Sequence, residues 1–156
     1  MSDELAVQIL HACHVSDAKI EDYLNILKAL EKGFEKYIGG NINIGEGIDD
    51  LIALQLYYYL HKLRPNRYYE HSHYLSDILD YYASDNPKVK GGNCTALTSL
   101  FNVLGERFGL NVKTVSPENH VLSRVLKKGR KINIENTLKD GFDIKVIQLF
   151  EGHESI

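Results

Sequence analysis

Gly91-Gly92-Asn93-Cys94-Thr95-Ala96-Leu97-Thr98-Ser99-Leu100-Phe101 is the stretch on which the reading of this chain turns. Two glycines end a loop, and Asn93 is a good helix N-cap. From there Leu97, Leu100, Phe101, Leu104 and Phe108 recur at helical spacing, so an amphipathic helix opens at the thiol of Cys94 and ends near Gly109. A free cysteine inside a helix is ordinarily a small buried hydrophobe. One on the first turn instead meets unpaired backbone N–H groups and the positive end of the macrodipole, and both favour the thiolate. Gly91-Gly92 ahead of the cap suggests a backbone that needs positive φ or close approach by a ligand.

The segments before this helix are themselves helical. Glu4 to His14 forms a short helix. Ser16-Asp17 caps a longer one to about Tyr37, with a stripe of Ile20, Tyr23, Leu24, Leu27, Leu30 and Phe34. Gly39-Gly40 stops it, and a loop with Gly45 and Gly47 follows. Ile48-Asp49-Asp50-Leu51 leads into a third helix ending at Leu63 before Pro65-Asn66, and a fourth spans about His73 to Tyr82. The character then changes. Residues 111–115, 120–126 and 132–135 read as strands, the last two joined by a basic turn, Lys127-Lys128-Gly129-Arg130-Lys131. Residues 143–150 fit a fourth strand or a short helix. The 156 residues form one domain: a helical part over 1–83, then a nucleophile helix packed on an antiparallel sheet over 91–150. That order is α+β.

Composition bounds the partners. A net charge of −3 supplies no basic face for nucleic acid, and the basic turn reads as solvated rather than as a docking site. No apolar run approaches a membrane span. The acidic N-terminus is not a signal peptide, and two cysteines in unlike settings give no disulfide framework, so a reducing cytoplasm is expected. The sequence does not set the oligomeric state.

Cysteine, then His120 at the head of one strand, then Glu135 at the end of another, is the order nucleophile, base, orienter that a thiol acyl-transfer site requires. Singly, His120 reads as a half-buried strand histidine, and Glu135 equally as a solvent-facing strand end or as an orienter. They support one another only by converging in space. His11-Ala12-Cys13-His14 and His71-Ser72-His73 are weak metal candidates, because neither has a second ligand pair nearby; no metal or other cofactor is expected. Ten tyrosines read mostly as core filling with hydroxyls reaching polar partners. Tyr69, Tyr74 and Tyr82, nearest before the nucleophile loop, are the candidates for a cleft wall.

Four segments carry a family resemblance: residues 92–97; Leu104-Gly105-Glu106-Arg107-Phe108-Gly109-Leu110; Glu118-Asn119-His120-Val121-Leu122-Ser123-Arg124-Val125; and Ile132-Asn133-Ile134-Glu135-Asn136-Thr137. Together they resemble the core of the transglutaminase-like superfamily, and more narrowly the SirB group of bacterial transglutaminase-like proteins. Tyr74-Leu75-Ser76-Asp77-Ile78-Leu79-Asp80 is similar to the family's segment before the nucleophile helix, and Ala6-Val7-Gln8-Ile9-Leu10 with Tyr23-Leu24 to its N-terminal helical pair. The resemblance implies a papain-like fold with Cys94 as nucleophile, His120 as base and Glu135 as orienting acid. The chain departs from the pattern at Asn119, where a glycine usually precedes the histidine, and at Glu135-Asn136, where aspartate-proline is common. Asn133 and Asn136 are therefore alternatives for the third member. Many SirB-type members lack the cysteine that this chain has.

The expected activity is acyl transfer from a peptide or protein amide, with hydrolysis as the default. The Cys94 N–H and the Asn93 side chain would bind the oxyanion, and Gly92, Tyr69 and Tyr74 would line the substrate cleft. The alternative is a catalytically idle scaffold of the same fold with a binding or regulatory role.

Overall fold

The computed structural model describes residues 3–39 and 49–144. Among them are five helices, α1 (Glu4–Ala12), α2 (Asp17–Tyr37), α3 (Asp49–Leu63), α4 (Leu75–Ala83) and α5 (Cys94–Arg107), followed by β1 (Val112–Val115), β2 (Leu122–Lys127) and β3 (Arg130–Ile134). The strands form one antiparallel sheet in the order β1-β2-β3. The architecture is α+β, as the order of periodicities predicts. The Gly45–Gly47 loop and most of the 143–150 run lie outside the described residues.

α5 is the centre of the molecule. It packs against α1, α3 and α4 and also against β1 and β2, so Leu97, Leu100 and Phe101 are fully buried. Each contributes about 1.5–3 kcal/mol by leaving water. The remaining core comes from the stripes of α2 and α3 (Leu27, Phe34, Leu56, Leu60) and from Val125, Ile132 and Ile134 of the sheet. Phe34 meets Phe108 edge-on with centroids 4.9 Å apart, which ties α2 to the end of α5.

The helix ends follow local chemistry. At the end of α5, Gly109 takes φ 82, its N–H bonds to Glu106 O at 3.0 Å, and the Leu110 N–H bonds to Gly105 O at 3.0 Å. This is a Schellman closure. α1 closes in the same way two residues earlier than its periodicity predicts. His14 takes φ 64, with His14 N bonded to His11 O and Val15 N to Leu10 O. His14 thus leaves the helix and cannot share a helical face with His11. α2 begins at Asp17 as expected, although the Ser16 hydroxyl makes no cap hydrogen bond.

The basic turn is less solvated than its sequence suggests. Lys127 Nζ stands 3.1 Å from Asp50 Oδ1, and Arg130 pairs with both Asp50 and Asp143. The hairpin is thereby clipped to the start of α3. At the far end of α5, Arg107 is buried and ion-paired with Glu31 of α2 at 2.6 Å and with Asp3 ahead of α1. No helix among the described residues is long and apolar enough to cross a membrane.

Candidate active site

Cys94 is the first residue of α5 and is half-buried. Asn93 caps the helix as its sequence predicts, with Oδ1 accepting from Thr95 N at 3.0 Å and Ala96 N at 3.3 Å. The cap therefore uses the second and third amides of the helix and not that of Cys94 itself. Asn93 Nδ2 donates to Glu70 O at 3.4 Å. Both ends of the Asn93 side chain are thus hydrogen-bonded at the helix start.

The loop before Cys94 is held by a pairing that no periodicity announces. Residues 67–72 run alongside 91–93 in parallel, bridged at Tyr68 and Gly92. The bonds are Gly92 N to Arg67 O (2.9 Å), Tyr69 N to Gly92 O (2.9 Å) and Asn93 N to Ser72 O (2.7 Å). This close approach is what requires glycine. A Cβ on Gly91 would stand 1.7 Å from Arg67 O, and one on Gly92 would stand 2.5 Å from the Ala96 Cβ. Neither glycine has positive φ, and both are buried. The expectation of positive φ or of an open approach to substrate is thus replaced by backbone packing.

His120 lies two residues ahead of β2 rather than at its head. β1 ends at Val115, which pairs with Leu122. Beyond it stand Ser116 and Pro117, and proline has no N–H for a ladder, so residues 120 and 121 have no strand opposite them. The chain instead turns through Asn119 at φ 60, with His120 N bonded to Pro117 O at 3.0 Å and the Ser116 hydroxyl donating to His120 O at 3.3 Å.

Glu135 follows β3 directly and is buried, not solvent-facing. Its Oε2 is hydrogen-bonded to His120 Nε2. Its Oε1 accepts from Thr137 N at 3.2 Å and from the Thr137 hydroxyl at 2.7 Å. The carboxylate side chain is 5% exposed and the imidazole 23%: the acid is shielded while the ring stays reachable. The asparagine alternatives are engaged elsewhere. Asn133 Oδ1 accepts from Arg124 Nε at 2.7 Å. Asn136 Nδ2 donates to Thr98 Oγ1 at 3.2 Å and to Ser123 Oγ at 2.8 Å.

A buried polar row ties the thiol's helix to the histidine's strand. Cys94, Thr98 and Asn102 follow at i, i+4 on one face of α5. The Thr98 hydroxyl donates to Val121 O at 3.4 Å, Ser123 Oγ donates to Asn102 Oδ1 at 2.6 Å, and Asn102 Nδ2 donates to Thr114 Oγ1 at 2.9 Å. Thr98 therefore touches the residue next to His120, and Cys94 stands one turn, about 6 Å, further towards the helix N-terminus on the same face. The structure puts His120 and Glu135 in direct contact and bonds Thr98, one turn of α5 beyond Cys94, to the residue next to His120. Thr98, Ser123 and Thr137 each stand beside another polar residue (Ser99, Arg124 and Asn136), a signal that sequence alone reads equally well as a solvated face.

The tyrosines divide. Tyr82 is buried, donates to Leu60 O at 2.7 Å and accepts from Arg67 Nη1 at 3.1 Å, so it is core structure. Tyr74 packs against the rings of His73 and His14. Tyr69, with Tyr68, Tyr81, Arg64 and Lys90, lines an open groove of about 520 Å³ that reaches Gly91. His11 is bonded to Asp17 at 2.9 Å, and among the described residues no group of three or more His, Cys, Asp or Glu side chains is arranged to hold a metal ion.

Comparison of the chain with protein-family models, with curated proteins and with solved structures gives no significant match in any of the three.

Proposed function

We propose that this chain is a thiol acyl-transfer enzyme of transglutaminase-like type, acting on a peptide or protein amide. The observation that carries the reading is the His120–Glu135 hydrogen bond, beside a Cys94 that opens α5 and whose helix is bonded through Thr98 to the residue next to His120. A carboxylate on Nε2 holds the ring's orientation and tautomer and turns Nδ1 towards the opposite side, where a thiol needs it.

Cys94 thiolate attacks the amide carbonyl carbon, and the C–O π electrons move to oxygen. The Cys94 N–H at the helix start stabilises that oxyanion. His120 gives its proton to the departing amine as the C–N bond breaks, leaving a thioester on Cys94. Water, deprotonated by His120, then releases the acid and restores the thiol. Hydrolysis is the default, since transfer to a second amine requires a site that excludes water. Two cysteines without a disulfide fit a reducing compartment such as the cytoplasm.

The test is thiol reactivity. Cys13 and Cys94 are both half-buried, so exposure class does not separate them. Iodoacetamide at neutral pH should alkylate Cys94 much faster than Cys13, and His120→Ala should remove most of that advantage. Equal, slow labelling of both cysteines would overturn the enzyme reading in favour of an idle scaffold.

A further inference from the structure

Arg67 is 3% exposed, and among the described residues no carboxylate pairs with it. A buried cation without a counter-ion is costly, and buried charges are ordinarily paired. Neutral dipoles surround this one. Nη1 donates to the Tyr82 hydroxyl at 3.1 Å, Nη2 donates to Asn136 O at 2.8 Å, and the His61 ring lies 3.3 Å from Nη2. Nε is left without a partner. His61 adds no compensating charge, and its Nδ1 donates to Tyr57 O at 2.9 Å, which leaves Nε2 as the acceptor facing Arg67.

The Asn136 carbonyl belongs to the peptide unit whose N–H is that of Thr137, and that N–H donates to Glu135 Oε1. A peptide unit is planar, so fixing its oxygen fixes its hydrogen. The chain of contacts runs from Arg67 Nη2 through the Asn136–Thr137 peptide to the Glu135 carboxylate and on to His120 Nε2. At its other end, the Arg67 carbonyl accepts the Gly92 N–H two residues before Cys94. One residue thus holds the acid with its side chain and the thiol's loop with its backbone.

We propose that Arg67 is the positioning residue of this site, setting the orientation of Glu135, and through it of His120, relative to the loop that carries Cys94. This rests on the acyl-transfer reading above. The guanidinium also polarises the peptide it binds, which strengthens the N–H donated to Glu135. No other side chain is hydrogen-bonded to the Asn136 carbonyl among the described residues.

The experiment measures the pH profile of Cys94 alkylation by iodoacetamide in the full chain. A thiol with the ordinary pKa of about 8.5 is only about 1% thiolate at pH 6.5. The wild type should keep a reactive limb at pH 6–7 that His120→Ala removes. Arg67→Met should lose the same limb, falling tenfold or more at pH 6.5, while approaching the wild type above pH 9, where any thiol is ionised. Arg67→Lys keeps the charge but not the fork and should lose it as well; it serves where Arg67→Met does not fold. A purely structural role would lower the melting temperature and leave the shape of the profile unchanged, and that result overturns the proposal. If the wild type itself behaves as an ordinary thiol, the acyl-transfer reading fails, and the positioning role with it. A wild-type limb that survives in a folded Arg67 variant overturns the positioning role alone.

Discussion

The Cβ position of Gly91 lies 1.7 Å from the carbonyl oxygen of Arg67 and that of Gly92 lies 2.5 Å from the Ala96 methyl, so the two glycines are held by different neighbours. A backbone oxygen engaged by Gly92 N cannot step aside, and Gly91→Ala must break the 67–92 pairing. We expect a loss of about 3 kcal/mol or more, at the upper end of overpacking costs. Gly92→Ala meets a side-chain methyl and should cost about 1–3 kcal/mol. Gly129 sits in the hairpin turn at φ 74 with nothing within 4 Å of its Cβ position, so Gly129→Ala should cost only the left-handed strain of about 1–2 kcal/mol. Urea unfolding of the three variants should rank them in that order. A Gly91→Ala protein as stable as Gly129→Ala would contradict the pairing.

At the other end of α5, Arg107 Nη1 is 2.6 Å from Glu31 Oε1, and the two side chains are 6% and 15% exposed. Removing one partner leaves a buried charge alone, which costs about 3–5 kcal/mol. Arg107→Ala should therefore lower stability by an amount in that range, since both Glu31 and Asp3 lose it. Asp3→Ala, at a side chain 34% exposed, should cost much less. Calorimetric melting of the two variants checks the order.

Where local signals agree with tertiary packing, the sequence reads correctly. Ser16-Asp17 opens α2 and α3 ends at Leu63 before Pro65-Asn66, and the apolar stripes of both helices fill the core. Asn93 and Gly109 bracket α5, with Gly109 closing its Schellman end. The 127–131 turn joins β2 and β3 as its composition predicts. What escapes is non-local. The pairing of 67–72 with 91–93 joins two short segments without periodicity. Arg67 looks like any surface arginine beside Pro65-Asn66. His120 falls off its strand because Pro117 ends the opposite one, a constraint on the partner and not on residue 120. At the site, residue types and order were legible, whereas the buried donors that hold Glu135 depend on where the chain after β3 turns back.

His61 offers a pH prediction. Burial first, then the nearby Arg67 charge, pushes its pKa from 6.5 down to about 4. The unfolded chain takes up this proton as pH falls through about 6.5, while the folded protein refuses it until about 4. Within that window the unfolded state binds more protons, so stability is full above pH 6.5 and declines towards pH 4. His61→Gln removes the titration and should flatten this part of the decline. Urea midpoints measured from pH 7.5 to 4.5 should converge between wild type and variant as pH falls. Parallel curves would mean that His61 titrates normally in the fold.

Asn93 separates a cap from an oxyanion donor. Its Oδ1 takes two helix amides, and Asn93→Ala should cost about 1 kcal/mol as an N-cap loss. Asn93→Asp and Asn93→Ser keep an accepting oxygen and should restore that stability. Aspartate offers no donor and serine only the hydroxyl of a shorter side chain, so a side-chain oxyanion role would be lost in Asn93→Asp and weakened in Asn93→Ser. With the Cys94 N–H as the principal donor, Asn93→Ser should retain most acyl-transfer activity on a thioester or amide probe. A hundredfold loss in a stable Asn93→Ser protein would return the oxyanion role to the side chain.

The identity of the orienting residue can be decided among Glu135, Asn133 and Asn136. Glu135 is hydrogen-bonded to the His120 ring and its second oxygen is fixed twice by Thr137, while Asn133 is bonded to Arg124 and Asn136 to Thr98 and Ser123. Glu135→Gln keeps the size, but its amide group cannot accept at both ends as the carboxylate does, so either the His120 contact or the Thr137 contacts must change. Alkylation of Cys94 at pH 6.5 should fall tenfold or more in Glu135→Gln. Thr137→Val removes one of two donors to Oε1 and should cause a smaller fall. Asn133→Ala loses a bond to the Arg124 side chain, on the sheet, and should leave the rate near that of the wild type. Asn136→Ala strips partners from the buried Thr98 and Ser123 hydroxyls. It should cost about 1–3 kcal/mol in stability while keeping the low-pH reactivity, because Arg67 holds the backbone of residue 136 and not its side chain. A stable Asn136→Ala protein that loses the low-pH reactivity, beside a Glu135→Gln protein that keeps it, would transfer the orienting role to the asparagine.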